Sequence, residues 1–191
     1  MTKKRLYCAT LVSQLSFTMK DQNSPYCAIG LFNPKSPTNV GGIMRAAGCY
    51  EANEVFFCGK RYAIAAKHQT DTKNVSEKIP LTQVEDLTQA VSQDTPIVCV
   101  ELVEGATPLP LFEHPEQALY IFGPEDGSLP QEVVDKASAV VYMPTTGCMN
   151  LAATVNVLLY DRAAKHTQQF NKQQILNSRD NNNRLKFKAK P

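Results

Sequence analysis

Short apolar runs separated by polar or proline-containing stretches recur along most of the chain. Each run is about the length of a β-strand that is buried on both faces. The runs predict strands at 27–32, 54–58, 97–102, 118–122 and 139–142. A weaker run near 7–12 predicts one further short strand.

Between the strands, apolar residues spaced three and four positions apart predict helices. These helices are expected at 40–50, 82–92, 130–136 and 150–168. Thr38 or Asn39 would cap the first helix and Asn150 the last, because an Asn side chain accepts a hydrogen bond from an unpaired N–H in the first turn. Strands that alternate with helices indicate an α/β fold, with a mostly parallel sheet covered by helices on both faces.

The same pattern divides the chain into three parts. Residues 26–168 are predicted to form one domain, preceded by an N-terminal extension at 1–25 and followed by a basic, flexible tail at 169–191. A long polar connection at 59–80 interrupts the alternation. Long connections inside a compact domain are usually functional or mobile.

Composition favours a globular protein of the cytoplasm. Hydrophobic residues make up 43% of the chain, which is too many for a disordered sequence. No run approaches the roughly 18 apolar residues of a membrane span. The basic start is not followed by the apolar core of a signal peptide. We therefore expect no membrane contact.

The six cysteines give no indication of a metal site or a disulfide framework. None forms a C-x-x-C pair, and no histidine stands at zinc-finger spacing. Cys27, Cys58 and Cys99 lie inside apolar runs, which is typical of reduced core residues. We expect no bound metal.

The net charge of +2 conceals two basic ends on an acidic body. Residues 1–5 and 162–191 carry an excess of lysine and arginine, whereas 6–161 carry an excess of acids. Basic ends indicate a polyanionic partner, although a lysine-rich tail can also serve solubility alone. The phosphates of a polyanionic partner would meet Lys3, Lys4, Arg5, Arg179, Arg184, Lys186, Lys188 and Lys190.

Several common sites can be excluded. The first strand runs into Asn33-Pro34-Lys35-Ser36-Pro37, which lacks the glycine-rich turn of a dinucleotide site. The phosphate-binding signature G-x-x-x-x-G-K-[ST] does not occur. His68, His114 and His166 are scattered among polar residues, so the sequence indicates no nucleophile–histidine pair.

A late glycine-containing loop, Gly123-Pro124-Glu125-Asp126-Gly127, follows a predicted strand directly. Glycine permits the close approach of backbone to a ligand, and α/β proteins bind ligands at the carboxyl ends of their strands. Taken alone, the loop could equally be an ordinary connection between a strand and a helix.

Three segments in order are more specific than that loop. They are the Asn-containing loop that leads into a helix with Arg45, the Gly-x-Glu-x-Gly loop, and a segment from Met143-Pro144 to Met149-Asn150-Leu151 that opens the last helix. Together they resemble the three motifs of the SpoU/TrmH-type family of SPOUT (alpha/beta-knot) RNA methyltransferases. The resemblance covers about 27–165.

The resemblance implies a C-terminal trefoil knot, a homodimer, and S-adenosylmethionine as the methyl donor, with S-adenosylhomocysteine as product. The partner would be tRNA or rRNA, without metal or membrane. Asn39 and Arg45 match the first motif and would be the catalytic residues. The cofactor-binding residues would be Glu101, Leu102, Gly123, Pro124, Glu125, Gly127, Met143, Pro144, Cys148, Asn150 and Leu151.

The leading hypothesis is methylation of a ribose 2′-hydroxyl. An arginine is a poor general base, so Arg45 would act as a phosphate clamp and hydrogen-bond partner that places the hydroxyl. Asn39 would cap the helix and orient that arginine. Two alternatives stay open, namely a base-modifying methyltransferase of the same fold and a non-catalytic RNA-binding module.

Overall fold

The computed structural model describes residues 24–66, 79–166 and 172–188. The strand predicted near 7–12 and much of the long connection at 59–80 lie outside these residues. So do Lys3, Lys4, Arg5 and Lys190 among the predicted RNA contacts.

Seven parallel strands form one sheet, in the order β3-β2-β1-β6-β4-β7-β5. Their bounds are β1 Tyr26–Phe32, β2 Glu54–Cys58, β3 Leu81–Gln83, β4 Ile97–Val100, β5 Thr107–Pro108, β6 Gln117–Phe122 and β7 Ala139–Tyr142. All five strands predicted within the described residues are therefore confirmed. The sequence did not indicate β3 and β5, which are very short strands at the two edges of the sheet.

The centre of the sheet is the pair β1 and β6. Ile29 of β1 stands opposite Tyr120 of β6, and both side chains are completely buried. Strands covered on both faces need apolar side chains pointing in both directions, which explains why their runs are continuous rather than alternating.

Five α-helices occur in the described residues, α1 Pro37–Cys49, α2 Arg61–Ala66, α3 Gln131–Val134, α4 Leu151–His166 and α5 Lys172–Ser178. Helices α1 and α4 pack on each other over one face of the sheet. The opposite face is covered by a 3-10 turn at Leu87–Gln89 and by α3. Coverage of both faces is as predicted. The trefoil knot stays a prediction.

The first helix begins earlier than the sequence indicated. Ser36 is its N-cap, since the Ser36 hydroxyl accepts a 3.3 Å hydrogen bond from the backbone N–H of Asn39. The predicted cap at Thr38 or Asn39 is wrong, because both residues lie inside the first turn. Pro37 takes the first helical position, where its fixed φ suits the helix and its missing N–H costs nothing.

The helix predicted at 82–92 is also wrong. Leu81 pairs with Val55 in the parallel ladder, so the segment starts as a strand. The Asp86 carboxylate then accepts the N–H of Thr88 at 2.8 Å and opens the 3-10 turn. Pairing with β2 outweighed the helical spacing of the apolar residues, since intrinsic propensity is a weak preference that tertiary contacts override.

Two smaller features complete the fold. Helix α2 stands inside the connection at 59–80, and α5 stands inside the polar tail. Cys27, Cys58 and Cys99 are buried free thiols, as predicted. Within 24–66, 79–166 and 172–188, no helix is long and apolar enough to cross a membrane.

Candidate active site

A cleft of about 190 Å³ lies at the carboxyl ends of three neighbouring strands, β6, β4 and β7. The chain enters it at Glu101, Gly123 and Met143, each directly after the end of one strand. In open α/β sheets, this edge is where ligands bind. The sequence predicts a ligand site at this same edge of the sheet.

Most of the predicted cofactor-binding residues line this cleft. They are Glu101, Leu102, Gly123, Pro124, Glu125, Gly127, Met143, Cys148 and Leu151. Pro144 and Asn150 are not among its lining residues. Other lining residues were missed although they adjoin predicted ones in the chain or lie one helical turn away, namely Val100, Phe122, Tyr142, Thr145, Gly147, Met149 and Thr154.

The Glu101 side chain forms part of the cleft wall. Its two carboxylate oxygens accept the backbone N–H groups of Leu102 and Leu129, each at 2.9 Å. A Cβ atom at Gly123 would lie only 3.0 Å from the nearer carboxylate oxygen. Glycine at this position therefore leaves room for a bonded carboxylate beside the cleft.

Glu125 ties its loop to the loop after β1. Its carboxylate accepts the backbone N–H groups of Lys35 and Ser36, at 2.9 and 3.0 Å, and the side-chain amide of Asn39, at 3.0 Å. Partial burial opposes ionisation of Glu125, but these hydrogen bonds outweigh it and lower the pKa of the carboxyl. Glu125 is therefore an ionised acceptor that joins the first two motifs.

Asn150 joins the third motif to the same group. Its side-chain oxygen accepts the N–H groups of Ala152 and Ala153, at 2.9 and 3.3 Å, so the predicted cap of the last helix is confirmed. Its side-chain nitrogen donates to the side-chain oxygen of Asn39, at 2.9 Å. Asn39 thus stands between Asn150 and Glu125, with its side-chain oxygen bonded to the first and its side-chain nitrogen to the second.

Arg45 lies apart from the cleft lining. It is exposed on α1 and, among the described residues, has no hydrogen-bond or ion-pair partner. The residues on the buried side of the same helix are Val40, Ile43, Met44, Ala46 and Ala47. A single chain therefore brings the second and third motifs together around the cleft, and Asn39 is hydrogen-bonded to a residue of each. Arg45 of the first motif is exposed to solvent.

Arg61 is a residue that sequence reasoning missed. Its guanidinium contacts Asp126, the neighbour of Glu125, with Nη1 at 2.7 and 2.9 Å from the two carboxylate oxygens. The hydrogen bond from Arg61, with a weaker contribution from Lys35, lowers the pKa of Asp126. The sequence signal is weak, because Arg61 stands 65 positions before its partner.

A second polar group that was missed is buried beneath α4. The ring of His114 contacts the Tyr120 hydroxyl at 2.8 Å and the Asp161 carboxylate at 2.9 Å. Arg162 donates to the same hydroxyl at 3.0 Å. Burial lowers the pKa of His114, despite the opposing effect of Asp161. The group secures α4 to the sheet and does not line the cleft.

Apolar side chains and a glycine-containing loop line the cleft side by side. Met143 and Leu151 are buried apolar walls, and the glycine-containing loop exposes backbone groups next to them. Across 24–66, 79–166 and 172–188, no group of three or more His, Cys, Asp or Glu side chains could hold a metal ion.

Solved structures with the same fold have low sequence identity to this chain. An rRNA methyltransferase from Sinorhizobium meliloti has a TM-score of 0.61 and 18% identity, covering 76% of this chain and 58% of that one. The SpoU methyltransferase AviRb from Streptomyces viridochromogenes, in complex with AdoMet, has a TM-score of 0.58 and 16% identity, covering 74% and 61%. A structure described as giving insights into the 2-OH methylation of C/U34 on tRNA has a TM-score of 0.62 and 19% identity, covering 75% and 92%.

The likeness to these structures concerns the fold. This chain spans about three fifths of the length of the first two, with 58% and 61% of those chains covered. No curated protein sequence matches it. The family model described as SpoU rRNA Methylase family matches residues 26–160, which include the seven-stranded sheet, the cleft and the Asn39–Glu125–Asn150 group. The chain therefore belongs to the SpoU rRNA methylase family.

Proposed function

We propose that this chain is an S-adenosylmethionine-dependent RNA methyltransferase that methylates a ribose 2′-hydroxyl of tRNA or rRNA. The observation that carries the proposal is the cleft at the carboxyl ends of β4, β6 and β7, with Glu125 and Asn150 joined beside it through Asn39. Family membership and the AdoMet complex of a protein with the same fold support it.

The donor would be held by backbone and apolar contacts. Met143, Leu151 and the loop Gly123–Gly127 would enclose its adenosine, with Leu102 at the mouth of the cleft, 66% exposed. S-adenosylmethionine supplies a methyl group made electrophilic by a sulfonium centre. The chain's task is then alignment, which can contribute about 7–11 kcal/mol to catalysis in favourable cases.

Arg45 would place the attacking hydroxyl. A guanidinium has five N–H donors and no acceptor, so it can donate hydrogen bonds to a ribose oxygen and a phosphate but is a poor general base. Because Arg45 is exposed and does not line the cleft of its own chain, the arginine would have to reach a cleft in a second copy. Asn39 would hold the start of the helix that carries it.

We therefore infer a homodimer. The outer side of α4 presents Val157 and Tyr160, which are 40% and 64% exposed. These two side chains stand about one turn apart on a helix that packs on α1, and they would form part of the surface that the second subunit covers. Arg45 of one subunit would then complete the cleft of the other.

RNA would be bound by the basic ends, where Arg179, Arg184, Lys186 and Lys188 are exposed. Phosphate contacts of this kind give affinity without sequence selection. The cytoplasm is the compartment in which such a protein would meet its RNA.

The proposal is tested in two steps. Calorimetry with S-adenosylmethionine should detect one donor per chain, and mass spectrometry of nucleosides from methylated RNA should find a 2′-O-methyl ribose. A methylated base would instead assign a base-modifying enzyme. A chain that binds RNA but no donor would be a binding module.

A further inference from the structure

Arg61 connects three loops at the carboxyl edge of the sheet. Its Nη1 donates to both oxygens of Asp126, while Nε and Nη2 donate to the carbonyl oxygen of Asn33, at 3.0 and 2.6 Å. The residue itself follows β2, Asn33 follows β1, and Asp126 follows β6. A planar guanidinium fixes the direction of its partners, which a lysine ammonium does not.

The Asn33 end of this connection is held rigidly. The N–H of Asn33 donates to the Cys58 carbonyl at 3.1 Å, so the loops after β1 and β2 are joined at their start. Asn33 has φ 45° and Gly59 has φ 82°. A Cβ at Gly59 would clash with the side-chain oxygen of Asn33, so the close approach of these two residues requires glycine. Arg61 therefore bonds Asp126 while it is itself bonded to a loop that is joined to β2.

The Asp126 end of this connection lies next to the cleft. Asp126 directly follows Glu125, and Glu125 lines the cleft while it accepts the N–H groups of Lys35 and Ser36. Two consecutive carboxylates thus face the residues that precede and start α1. A shift of Asp126 would carry Glu125 with it and loosen its hydrogen bonds.

We propose that Arg61 is a positioning residue of the methyl-donor site. By fixing Asp126 against the Asn33 carbonyl, it keeps the loop Gly123–Gly127 in the place that lets Glu125 meet Lys35 and Ser36. The link to donor binding rests on the proposed function. A partly exposed ion pair contributes little to overall stability, so loop position rather than folding should depend on Arg61.

Donor binding tests this role with Arg61→Lys and Asp126→Asn. Each variant should bind S-adenosylmethionine about tenfold more weakly, and the double variant should be no weaker than the worse single one, as expected for partners in one network. Thermal unfolding and the KM for RNA should stay close to wild type. Lys60→Ala is the matched control, since it removes an exposed neighbouring cation, and it should leave affinity unchanged.

Amide hydrogen exchange provides a readout that needs no donor. In Arg61→Lys, exchange at the N–H groups of Lys35 and Ser36 should accelerate, whereas the N–H of Leu129, bonded to Glu101, should exchange as in wild type. Unchanged exchange and affinity would overturn the inference and leave the proposed function intact. A raised KM for RNA with unchanged donor affinity would also overturn it. If the wild-type chain binds no S-adenosylmethionine but Arg61→Lys still accelerates exchange at Lys35 and Ser36, Arg61 positions the loop and the proposed function is wrong.

Discussion

The side-chain nitrogen of Asn150 donates a 2.9 Å hydrogen bond to the side-chain oxygen of Asn39, 111 positions earlier in the chain. Asn39 in turn donates to Glu125. One polar chain therefore crosses from the cap of α4, through the first turn of α1, to the loop after β6. The three sequence motifs are three parts of a single hydrogen-bonded group.

Replacing Asn150 should separate its two roles. Asn150→Ala removes the helix cap and the bond to Asn39, and caps of this kind are worth about 0.5–2 kcal/mol of stability. Asn150→Asp keeps the capping oxygen but loses the N–H donor to Asn39. We expect a smaller loss of stability in urea unfolding for Asp than for Ala. Affinity for S-adenosylmethionine should fall similarly in both, because both lose the bond to Asn39, which holds Glu125 of the cleft lining. Equal stabilities would contradict the capping role.

Arg45→Ala should abolish most methyl transfer without affecting the donor. Misplacing a reacting group can cost about a hundredfold in rate, so kcat should fall by at least that factor. The dissociation constant of S-adenosylmethionine should stay at the wild-type value, since the proposed partners of Arg45 are the hydroxyl and phosphate of the RNA rather than the donor. Turnover near wild type in a single-turnover assay would remove Arg45 from the reaction.

Mixing two inactive variants tests whether Arg45 acts on a second copy. Gly123→Val should block the cleft, because a Cβ there would crowd the Glu101 carboxylate at 3.0 Å. A mixed dimer of Gly123→Val and Arg45→Ala would contain one cleft and one arginine that are both intact. Activity regained on mixing supports an arginine supplied by the partner, whereas a mixture that stays inactive argues that each cleft uses its own chain.

Acid should destabilise the folded protein through His114. Burial lowers the pKa of His114 below its ordinary 6.5, so the unfolded chain takes up a proton at higher pH than the folded one does. The free energy of unfolding should therefore fall as the pH drops from 6.5 toward the folded pKa, by about 1.4 kcal/mol for each unit by which the pKa is lowered. Above 6.5 this contribution should vanish.

Two variants isolate this effect in urea unfolding across the same pH range. His114→Gln should lack this part of the acid sensitivity, because the titrating ring is gone. Asp161→Asn removes the carboxylate that raises the pKa of His114, so acid sensitivity should extend to lower pH than in wild type. A wild-type profile parallel to that of His114→Gln would refute the assignment.

Removing residues 179–191 should weaken RNA binding and flatten its dependence on salt. Each phosphate contact that is lost should reduce the slope of log affinity against log salt by about 0.7–0.9. Affinity for S-adenosylmethionine should not change, because none of residues 179–188, which the structure describes, lines the cleft. A slope equal to that of the full chain would show that the tail does not touch the RNA.

What the sequence determined follows from local physics. The sequence predicts the buried strands, because strands covered on both faces need continuous apolar runs such as the one ending at Phe122. Asn150 is readable as a cap, since a cap depends on residues one turn away. The motif residues around Gly123 and Met143 were predicted from the resemblance to the SpoU/TrmH-type motifs, and the predicted strands place both directly after a strand end.

Tertiary structure decided the features whose partners are distant in sequence. Leu81 pairs with Val55 of β2 and so forms part of a strand. Ser36 rather than Asn39 caps α1, and the Asn39 side chain instead bonds Glu125 and Asn150. The roles of Arg61 and His114 depend on their bonds to Asp126 and Asp161, which lie 65 and 47 positions away in the chain. Hydrogen bonds act over about 3 Å of space, and only the folded chain determines which distant residues come that close.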